Sequence, residues 1–385
     1  MRVLVPLGTR PEIIKLTPVV NALRHRGFDV RVLATGQHYD TELSDVFFDG
    51  LGLVPDERWP PAGDRNSRLG TMLTRAEEEI AKGTPRPDAL LILGDTDTVP
   101  VFCLAARRYG VPVIHLEAGL RSLNPTSMEE VNRRIAAACS SLHLAPTEVA
   151  AQFLLEEGID RDRVRVVGNP VIDVLKGLGI ERRPIDERQG VVVTAHRPTN
   201  VDIPARLDAL VTIVCDLAAR LGPVTFPLHP RTGARLEESG LRPRLESAGV
   251  RVVAPLPYRA MLELIVSSRL VVTDSGGLQE EASWYGVPVV VLRRSTPRWE
   301  GVAIGAATLV GLDPVMALEE AERLAEPEMQ RLIAALPCPY GDGNTSERVA
   351  GILEEPEVQG LLHLDEPDLR GYCPVIPAAE LVAGP

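Results

Sequence analysis

Short apolar segments of strand length recur through the first half of the chain, separated by longer stretches with the residue spacing of helices. The strand-like segments lie at 2–7, 29–34, 89–93, 111–116, 142–145 and 164–167. Helices are predicted near 11–26, 67–82 and 129–140, and a polar, proline-rich connection surrounds 55–66. This alternation predicts an α/β fold built on a doubly wound parallel sheet.

A second series of the same kind follows the charged stretch 181–189. Its strand-like segments lie at 190–194, 224–228, 250–253, 270–273 and 287–292. We therefore expect two Rossmann-like domains, 1–172 and 173–350, which face a central cleft and are joined by a hinge near 170–190. The remaining residues, 351–385, are expected to form a final helix and tail that pack back on the N-terminal domain.

Two of the apolar segments end at a carboxylate. Asp95 follows 89–93 after a single glycine, and Glu117 follows 111–116 directly. Ligands of open α/β sheets bind at the carboxyl ends of the strands, so adjacent strands would place both acids at the mouth of the cleft. Their mutual repulsion is expected to raise a carboxyl pKa into the range of a working acid or base. The alternative is that each acid only caps the helix that follows it.

The charge balance excludes several classes of partner. The chain has 41 Lys or Arg and 53 Asp or Glu, a net charge of −12, which argues against nonspecific binding to nucleic acid or a membrane surface. It holds no run of 18 apolar residues and starts with a strand-like segment, so we expect a cytoplasmic protein without a membrane span. The five cysteines and seven histidines show no metal-ligand spacing, and no metal site is expected.

Turns at other strand ends offer positive charge for an anionic ligand. The Ser-Gly-Gly turn at 275–277 stands between a strand and a helix, where bare backbone amides bind phosphate. The glycine turn at 8–15 adds cations but lacks the Walker sequence. Glu280 and Glu281 are suited to accept hydrogen bonds from ribose hydroxyls. The alternative is that they are ordinary acidic residues in the first turn of the helix. Further cations at strand ends of the second half are His196, Arg197, His229, Arg293 and Arg298.

A set of motifs extends over nearly the full chain. The first half carries GTRPEIIKLTPVV at 8–20, TGQH at 35–38, GDTDT at 94–98, HLEAGLRS at 115–122, EEVNR at 129–133 and PTE at 146–148. The rest carries GNPVID at 168–173, HR at 196–197, TDSGGLQEEA at 273–282 and PYGDG at 339–343. In this combination the chain closely resembles the non-hydrolysing UDP-N-acetylglucosamine (UDP-GlcNAc) 2-epimerases.

The resemblance implies a two-domain fold of the glycosyltransferase-B type, a homodimer, and no NAD or other cofactor. It also implies inversion at C2 of UDP-GlcNAc to give UDP-N-acetylmannosamine (UDP-ManNAc). The route proposed for the family is elimination of UDP to a 2-acetamidoglucal, followed by re-addition of UDP after C2 is protonated on the other face.

The resemblance also assigns roles to residues. Asp95, Glu117 and Glu129 correspond to the acid and base carboxylates, with the face of C2 that each serves left open, and His196 to a histidine that stabilises the departing diphosphate. The residues expected to bind UDP or substrate are Arg10, Lys15, Arg121, His229, Ser275, Gly276, Gly277, Glu281 and Arg293. Gln37 and His38 fall where many bacterial members bind a second, activating UDP-GlcNAc.

Three departures from the family pattern bear on specificity. Pro198-Thr199 follows the His-Arg pair, Pro297 and Trp299 flank Arg298, and Met128 stands where a proline normally precedes the paired glutamates. They leave the sugar substrate and the allosteric control open. The alternatives are a hydrolysing 2-epimerase that releases ManNAc, an epimerase of a related nucleotide sugar, a glycosyltransferase of the same fold, and a non-catalytic nucleotide-sugar binder.

Overall fold

The computed structural model of the protein describes residues 1–36, 53–60, 67–82, 85–364 and 366. Within these ranges the chain forms two parallel β-sheets, of seven and six strands, with helices between most successive strands. The predicted α/β class with two Rossmann-like halves is therefore confirmed.

The first sheet begins at its centre and winds out to both edges. Its strands are β1 (Arg2–Leu7), β2 (Asp29–Ala34), β3 (Glu57–Arg58), β4 (Ala89–Leu93), β5 (Val113–Leu116), β6 (Leu142–Ala145) and β7 (Val164–Val166). Their order is β3-β2-β1-β4-β5-β6-β7. Leu91 and Leu93 pack in one core, whereas Leu90 and Ile92 pack in another. Both faces of β4 are thus buried, which explains its continuous apolar sequence.

The second sheet follows the same plan. Its strands are β8 (Val191–Thr194), β9 (Val224–Pro227), β10 (Arg251–Val253), β11 (Leu270–Thr273), β12 (Val289–Val291) and β13 (Ala307–Leu309). Their order is β10-β9-β8-β11-β12-β13. Val271 and Val272 of β11 again belong to cores on opposite faces, so helices cover this sheet on both sides.

Helices fill the connections of both halves. In the first half they are α1 (Arg10–His25), α2 (Arg68–Lys82), α3 (Thr98–Arg108), α4 (Met128–Cys139), α5 (Glu148–Glu156) and α6 (Pro170–Leu178). From residue 198 onwards they are α7 (Pro198–Val201), α8 (Pro204–Leu221), α9 (Pro230–Glu238), α10 (Arg242–Ser247), α11 (Tyr258–Ser267), α12 (Gly276–Trp284), α13 (Trp299–Ala303), α14 (Pro314–Ala325), α15 (Pro327–Ala335), α16 (Thr345–Ile352) and α17 (Pro356–Leu361). Among the described residues, every helix is too short or too polar to span a bilayer.

The last two helices pack on the first half of the molecule. Val349, Leu353 and Val358 lie in the same buried core as Leu16 and Leu23 of α1. Arg26 adds ion pairs of 3.0 Å to Glu347 and 2.8 Å to Glu354. The described part of the C-terminal segment therefore completes the N-terminal core, and the domain limits at 172 and 350 stay a prediction.

Candidate functional site

The two strand-end carboxylates lie at one edge of the first sheet. Leu93 of β4 pairs with Leu116 of β5, and the amide of Gly94 donates to the carbonyl of Leu116 at 3.0 Å. A Cβ atom on Gly94 would lie 3.5 Å from Oε2 of Glu117. The Glu117 carboxylate therefore lies against the residue that precedes Asp95, so the predicted adjacency is confirmed.

The acidity of this pair differs from the sequence expectation. Burial favours the neutral acids, but the guanidinium groups of Arg133 and Arg298 outweigh it and hold the pKa of Asp95 below its usual range. Lys15 and Arg298 likewise outweigh the burial of Glu117 and lower its pKa. The prediction that mutual repulsion raises a pKa here is wrong, because cations that the strand pattern did not reveal outweigh the repulsion. Both groups are held as carboxylates, the form of a base.

Glu117 also has an unusual backbone. Its φ angle is 63°, and Leu123 at 56° is the other non-glycine residue with positive φ among those described. Such a conformation costs of order 1–3 kcal/mol and persists where the surroundings enforce it. Glu130 fastens this loop by accepting bonds from the amide and hydroxyl of Ser122 at 2.7 and 2.9 Å. The loop thus stores strain at the position of a candidate catalytic acid.

A buried network joins Glu117 to the second half of the molecule. Lys15 on α1 donates to Glu117 and, at 3.0 Å, to Oε2 of Glu280 on α12. The Asn169 amide donates to Glu117 at 2.7 Å and to Glu280 at 3.0 Å. Arg298 completes the network at 2.8 Å from Glu280. The two cations therefore balance the two carboxylates where the carboxyl ends of both sheets meet, and the Asn169 amide bridges the two carboxylates.

Glu129 is the third candidate acid and lies in the first turn of α4. It is half-buried and accepts a hydrogen bond from the Ser127 hydroxyl. Burial opposes ionisation, but Ser127 and the charge of Arg197 lower the pKa of Glu129. The charge of Asp95 acts on it in the opposite direction. The negative charges of Asp95 and Glu129 therefore act on each other.

His196 is oriented by an aspartate buried at the end of β11. Asp274 accepts bonds from the backbone amides of His196 and Arg197 and from the Asn200 side chain, between 3.0 and 3.2 Å. His196 Nδ1 lies 3.1 Å from the same carboxylate, which leaves Nε2 facing away from it. The His229 ring centroid lies 5.5 Å from that of His196. Two imidazoles therefore stand together at the ends of β8 and β9.

The amino-terminal end of α12 has the features of a cradle suited to an anion. Ser275 is its N-cap residue, and Gly276 and Gly277 form its first turn. A Cβ atom on Gly276 would lie 3.3 Å from the Arg298 guanidinium, so glycine lets this cation approach the helix end. The dipole of the helix and the guanidinium then act at the same place, and both favour a phosphate.

Arg293 lies beside this cradle with other cations around it. Burial, followed by the charges of Arg197, Arg298 and Arg133, lowers the pKa of Arg293 to about 9. Its Nη1 is buried and has no hydrogen-bond partner among the described residues. A guanidinium in these surroundings is stabilised by an anion, as a diphosphate would supply.

Glu281 lies on α12 one residue beyond Glu280. Its burial raises the pKa to about 7, although the Tyr258 hydroxyl donates to it at 3.0 Å. The charge of Arg10, the first residue of α1, acts on Glu281 across the junction of the two halves. A buried carboxylate that already accepts a hydrogen bond from the Tyr258 hydroxyl is suited to accept hydrogen bonds from the hydroxyls of a ribose.

Comparison with known protein families gives a match over most of the chain. A family model described as UDP-N-acetylglucosamine 2-epimerase matches residues 21–354. The chain belongs to this family.

Three relatives describe how close the match is. The UDP-GlcNAc 2-epimerase of Methanocaldococcus jannaschii, crystallised with UDP-GlcNAc and UDP, is 35% identical with a TM-score of 0.82, over 92% of this chain and 99% of that one. The Neisseria meningitidis enzyme bound to UDP-GlcNAc is 32% identical with a TM-score of 0.81, over 92% and 99%. The UDP-2,3-diacetamido-2,3-dideoxy-D-glucuronate 2-epimerase of Pseudomonas aeruginosa is 35% identical, also over 92% and 99%.

Arg121, expected to bind UDP in this epimerase family, is placed differently from the other candidates. Its side chain is fully buried, and its guanidinium donates to Glu157 at 2.8 and 2.6 Å and to the carbonyl of Leu120. The structure thus brings Arg121 into a structural ion pair rather than into the cation cluster around Arg298. Gln37 and His38, the candidate activator site, lie outside the described residues.

Sequence reasoning missed several residues that hold the epimerase site together. Glu12 accepts bonds from the Gly8 amide and from the hydroxyls of Thr9 and Thr96 at 2.8 to 2.9 Å, and so ties the turn after β1 to the turn that carries Asp95. The signals were weak but present, since Glu12 stands inside a quoted motif. The other missed residues are Arg133, Asn169 and Asp274, each of which lies in a quoted motif. Glu280 was considered only as an acceptor for ribose hydroxyls, whereas the structure bonds it to Lys15, Asn169 and Arg298.

Proposed function

We propose that this protein interconverts UDP-GlcNAc and UDP-ManNAc by inverting C2, and that it does so without hydrolysis of the bond between the sugar and the diphosphate. The observation that supports the proposal is that the charges of Arg298 and Arg197, beside the start of α12, lower the pKa values of three carboxylates: Arg298 acts on Asp95 and Glu117, and Arg197 acts on Glu129. Proton transfer and diphosphate binding are thereby offered in one cleft.

The chemistry follows from the weak acidity of C2–H. A carboxylate removes the C2 proton, the electrons of that bond form a C1=C2 double bond, and UDP leaves with the electrons of the C1–O bond. UDP then attacks C1 again while the double bond accepts a proton at C2 from the opposite face. A second carboxyl group in its protonated form supplies that proton.

UDP must stay bound between the two steps, and this requirement accounts for the cations. Arg293, Arg298 and the amino-terminal end of α12 offer fixed positive charge to the leaving diphosphate, with His196 beside them. An anion there would weaken the hold of these cations on the carboxylates and raise the carboxyl pKa values. Substrate binding would therefore prepare one carboxyl group to carry the proton that C2 needs.

A related nucleotide sugar is the second candidate substrate. The P. aeruginosa relative acts on a UDP-linked diacetamido-glucuronate, and it is as similar in sequence, at 35%, as the M. jannaschii UDP-GlcNAc 2-epimerase. Both substrates pair UDP with a 2-acetamido sugar, so the same cradle and acids would serve either. The two substrates differ at C3 and C6. Competition between the two nucleotide sugars for binding shows which of them the protein prefers.

The test is incubation of the protein with UDP-GlcNAc in deuterated water, followed by proton NMR. Deuterium at C2 of both UDP-linked epimers supports the proposal. Free ManNAc with UDP would instead identify a hydrolysing enzyme. Absence of both exchange and products with UDP-GlcNAc, together with exchange of the diacetamido-glucuronate, would move the assignment to the second substrate.

Three further expectations belong to this proposal. A homodimer is expected from the family and is checked by light scattering at assay concentration. Location in the cytoplasm and activation by a second UDP-GlcNAc at Gln37 and His38 also stay predictions. Activation is checked by sigmoidal dependence of the rate on UDP-GlcNAc and its loss in Gln37→Ala.

A further inference from the structure

The indole of Trp299 crosses from one half of the molecule to the other. Trp299 begins α13 in the second half, and its Nε1–H donates to the backbone carbonyl of Arg121 at 2.8 Å. Arg121 lies in the loop that follows β5, four residues beyond Glu117. A side chain of the UDP-binding half therefore holds the backbone of a loop that carries a candidate catalytic acid.

The other ties of this loop come from its own half of the molecule. Glu130 binds Ser122, and the Arg121 side chain binds Glu157. At Gly119 a Cβ atom would come within 2.1 Å of the Ala150 carbonyl, which shows how closely the loop lies on α5. The Trp299 bond differs from these, because it exists only while the two halves keep their relative position.

The residues on either side of Trp299 also form bonds at this junction. Arg298 donates to Glu280, which in turn binds Lys15 of the first half. Glu300 accepts a bond from the hydroxyl of Thr147, at the start of α5. Trp299 and Glu300 thus bond directly to the first half, and Arg298 is linked to it through Glu280. Of these three consecutive residues, Trp299 is the one that acts on the loop of Glu117.

We propose that Trp299 is a positioning residue that couples the placement of Glu117 to the junction of the two halves. Glu117 and Leu123 hold their positive φ angles only under constraint, and the Arg121 carbonyl lies between them in sequence. Loss of the indole bond frees this backbone to relax and moves the carboxylate away from C2. The inference rests on the proposed epimerase function for its kinetic consequence, but its structural consequence is independent of the substrate.

The central experiment compares Trp299→Phe with Trp59→Phe. Each variant keeps an aromatic ring and removes one indole donor, since Trp59 Nε1 donates at 3.2 Å to Glu57 of the edge strand β3, within the first half. We expect Trp299→Phe to lower kcat about fivefold with KM nearly unchanged. A fivefold change corresponds to the loss of one hydrogen bond that contributes about 1 kcal/mol. Trp59→Phe should leave both constants unchanged. An unchanged kcat in Trp299→Phe, or a change confined to KM, would overturn the proposal.

Hydrogen–deuterium exchange of the same proteins without ligand gives the second measurement. The amides of the loop from Glu117 to Leu123 should exchange several-fold faster in Trp299→Phe than in the wild type or Trp59→Phe. Equal exchange in all three would refute the positioning role, even if the enzyme used another substrate. If Trp299→Phe does not fold, benzothienylalanine at position 299 replaces the N–H by sulfur and keeps the shape of the ring.

Discussion

The ammonium group of Lys15 lies 3.0 Å from the carboxylate of Glu280, on the opposite half of the molecule, with both side chains buried. Arg298 reaches the same carboxylate, so Glu280 is the buried counter-charge for two cations. A buried pair is weak evidence of net stabilisation, but removing one partner leaves an uncompensated charge. Glu280 therefore holds together the junction on which the site depends.

Glu280→Gln should lower the free energy of unfolding by about 3 kcal/mol, because Lys15 and Arg298 then lose a buried negative charge. Urea unfolding at pH 7 measures the loss. The matched control is Glu263→Gln, which breaks an exposed pair with Arg259 on α11 and should cost less than about 0.5 kcal/mol. A loss in Glu280→Gln no larger than in this control would show that the network adds nothing to stability.

Asp95→Asn and Glu117→Gln should each reduce deuterium exchange at C2 by a factor on the order of 10² to 10⁴, the usual contribution of a positioned acid or base. UDP affinity, measured by calorimetry, should change far less, because the cradle at α12 is intact. Asp88→Asn is the control, since Asp88 precedes β4 as Asp95 follows it and pairs with Arg2. If either site variant retains deuterium exchange at C2, the carboxylate that it lacks has a structural role and not a catalytic one.

Much of the fold was readable from the sequence because its strands are buried on both faces. Continuous apolar runs such as β4 and β11 have few other interpretations in a chain that alternates with helices. The strands that were missed are β3 and β13, of two and three residues. Glu57–Arg58 is polar and pairs at the sheet edge, so its strand character comes from the neighbouring β2 rather than from its own sequence.

The site was readable only in part, for a related reason. A carboxylate at a strand end can be recognised from the local sequence, and this pattern identified Asp95 and Glu117. The bond from Lys15 to Glu280 spans 265 residues, and no local pattern encodes it. The acidity of Asp95 was mistaken for the same reason, because its ion pair with Arg133 depends on the way α4 packs beside β4.

Glu12 predicts a dependence of stability on pH. Its burial raises the pKa from 4.5 to about 7. Between these values the native protein keeps a proton that the unfolded chain has released, so raising the pH favours unfolding. The free energy of unfolding of the wild type should fall by about 2 kcal/mol relative to Glu12→Gln from pH 5 to pH 7.5. Urea titrations of both proteins measure this difference, in which the other titrating groups cancel. A difference that is constant with pH contradicts the burial of an ionisable Glu12.

Glu281 predicts a dependence of UDP affinity on pH. Its pKa is about 7, and ribose hydroxyls would donate to its ionised form. Protonation therefore competes with UDP, so affinity should be full above pH 7 and fall about fivefold from pH 7 to pH 6. Glu281→Gln cannot ionise and should lose this component, whereas Glu263→Gln, an exposed change on α11, should keep it. Calorimetric titration of all three proteins with UDP isolates the effect, because titration of the UDP phosphate is common to them. If the wild type and Glu281→Gln show the same pH dependence, the ribose is bound elsewhere, and the raised pKa of Glu281 reflects only its burial beside Tyr258.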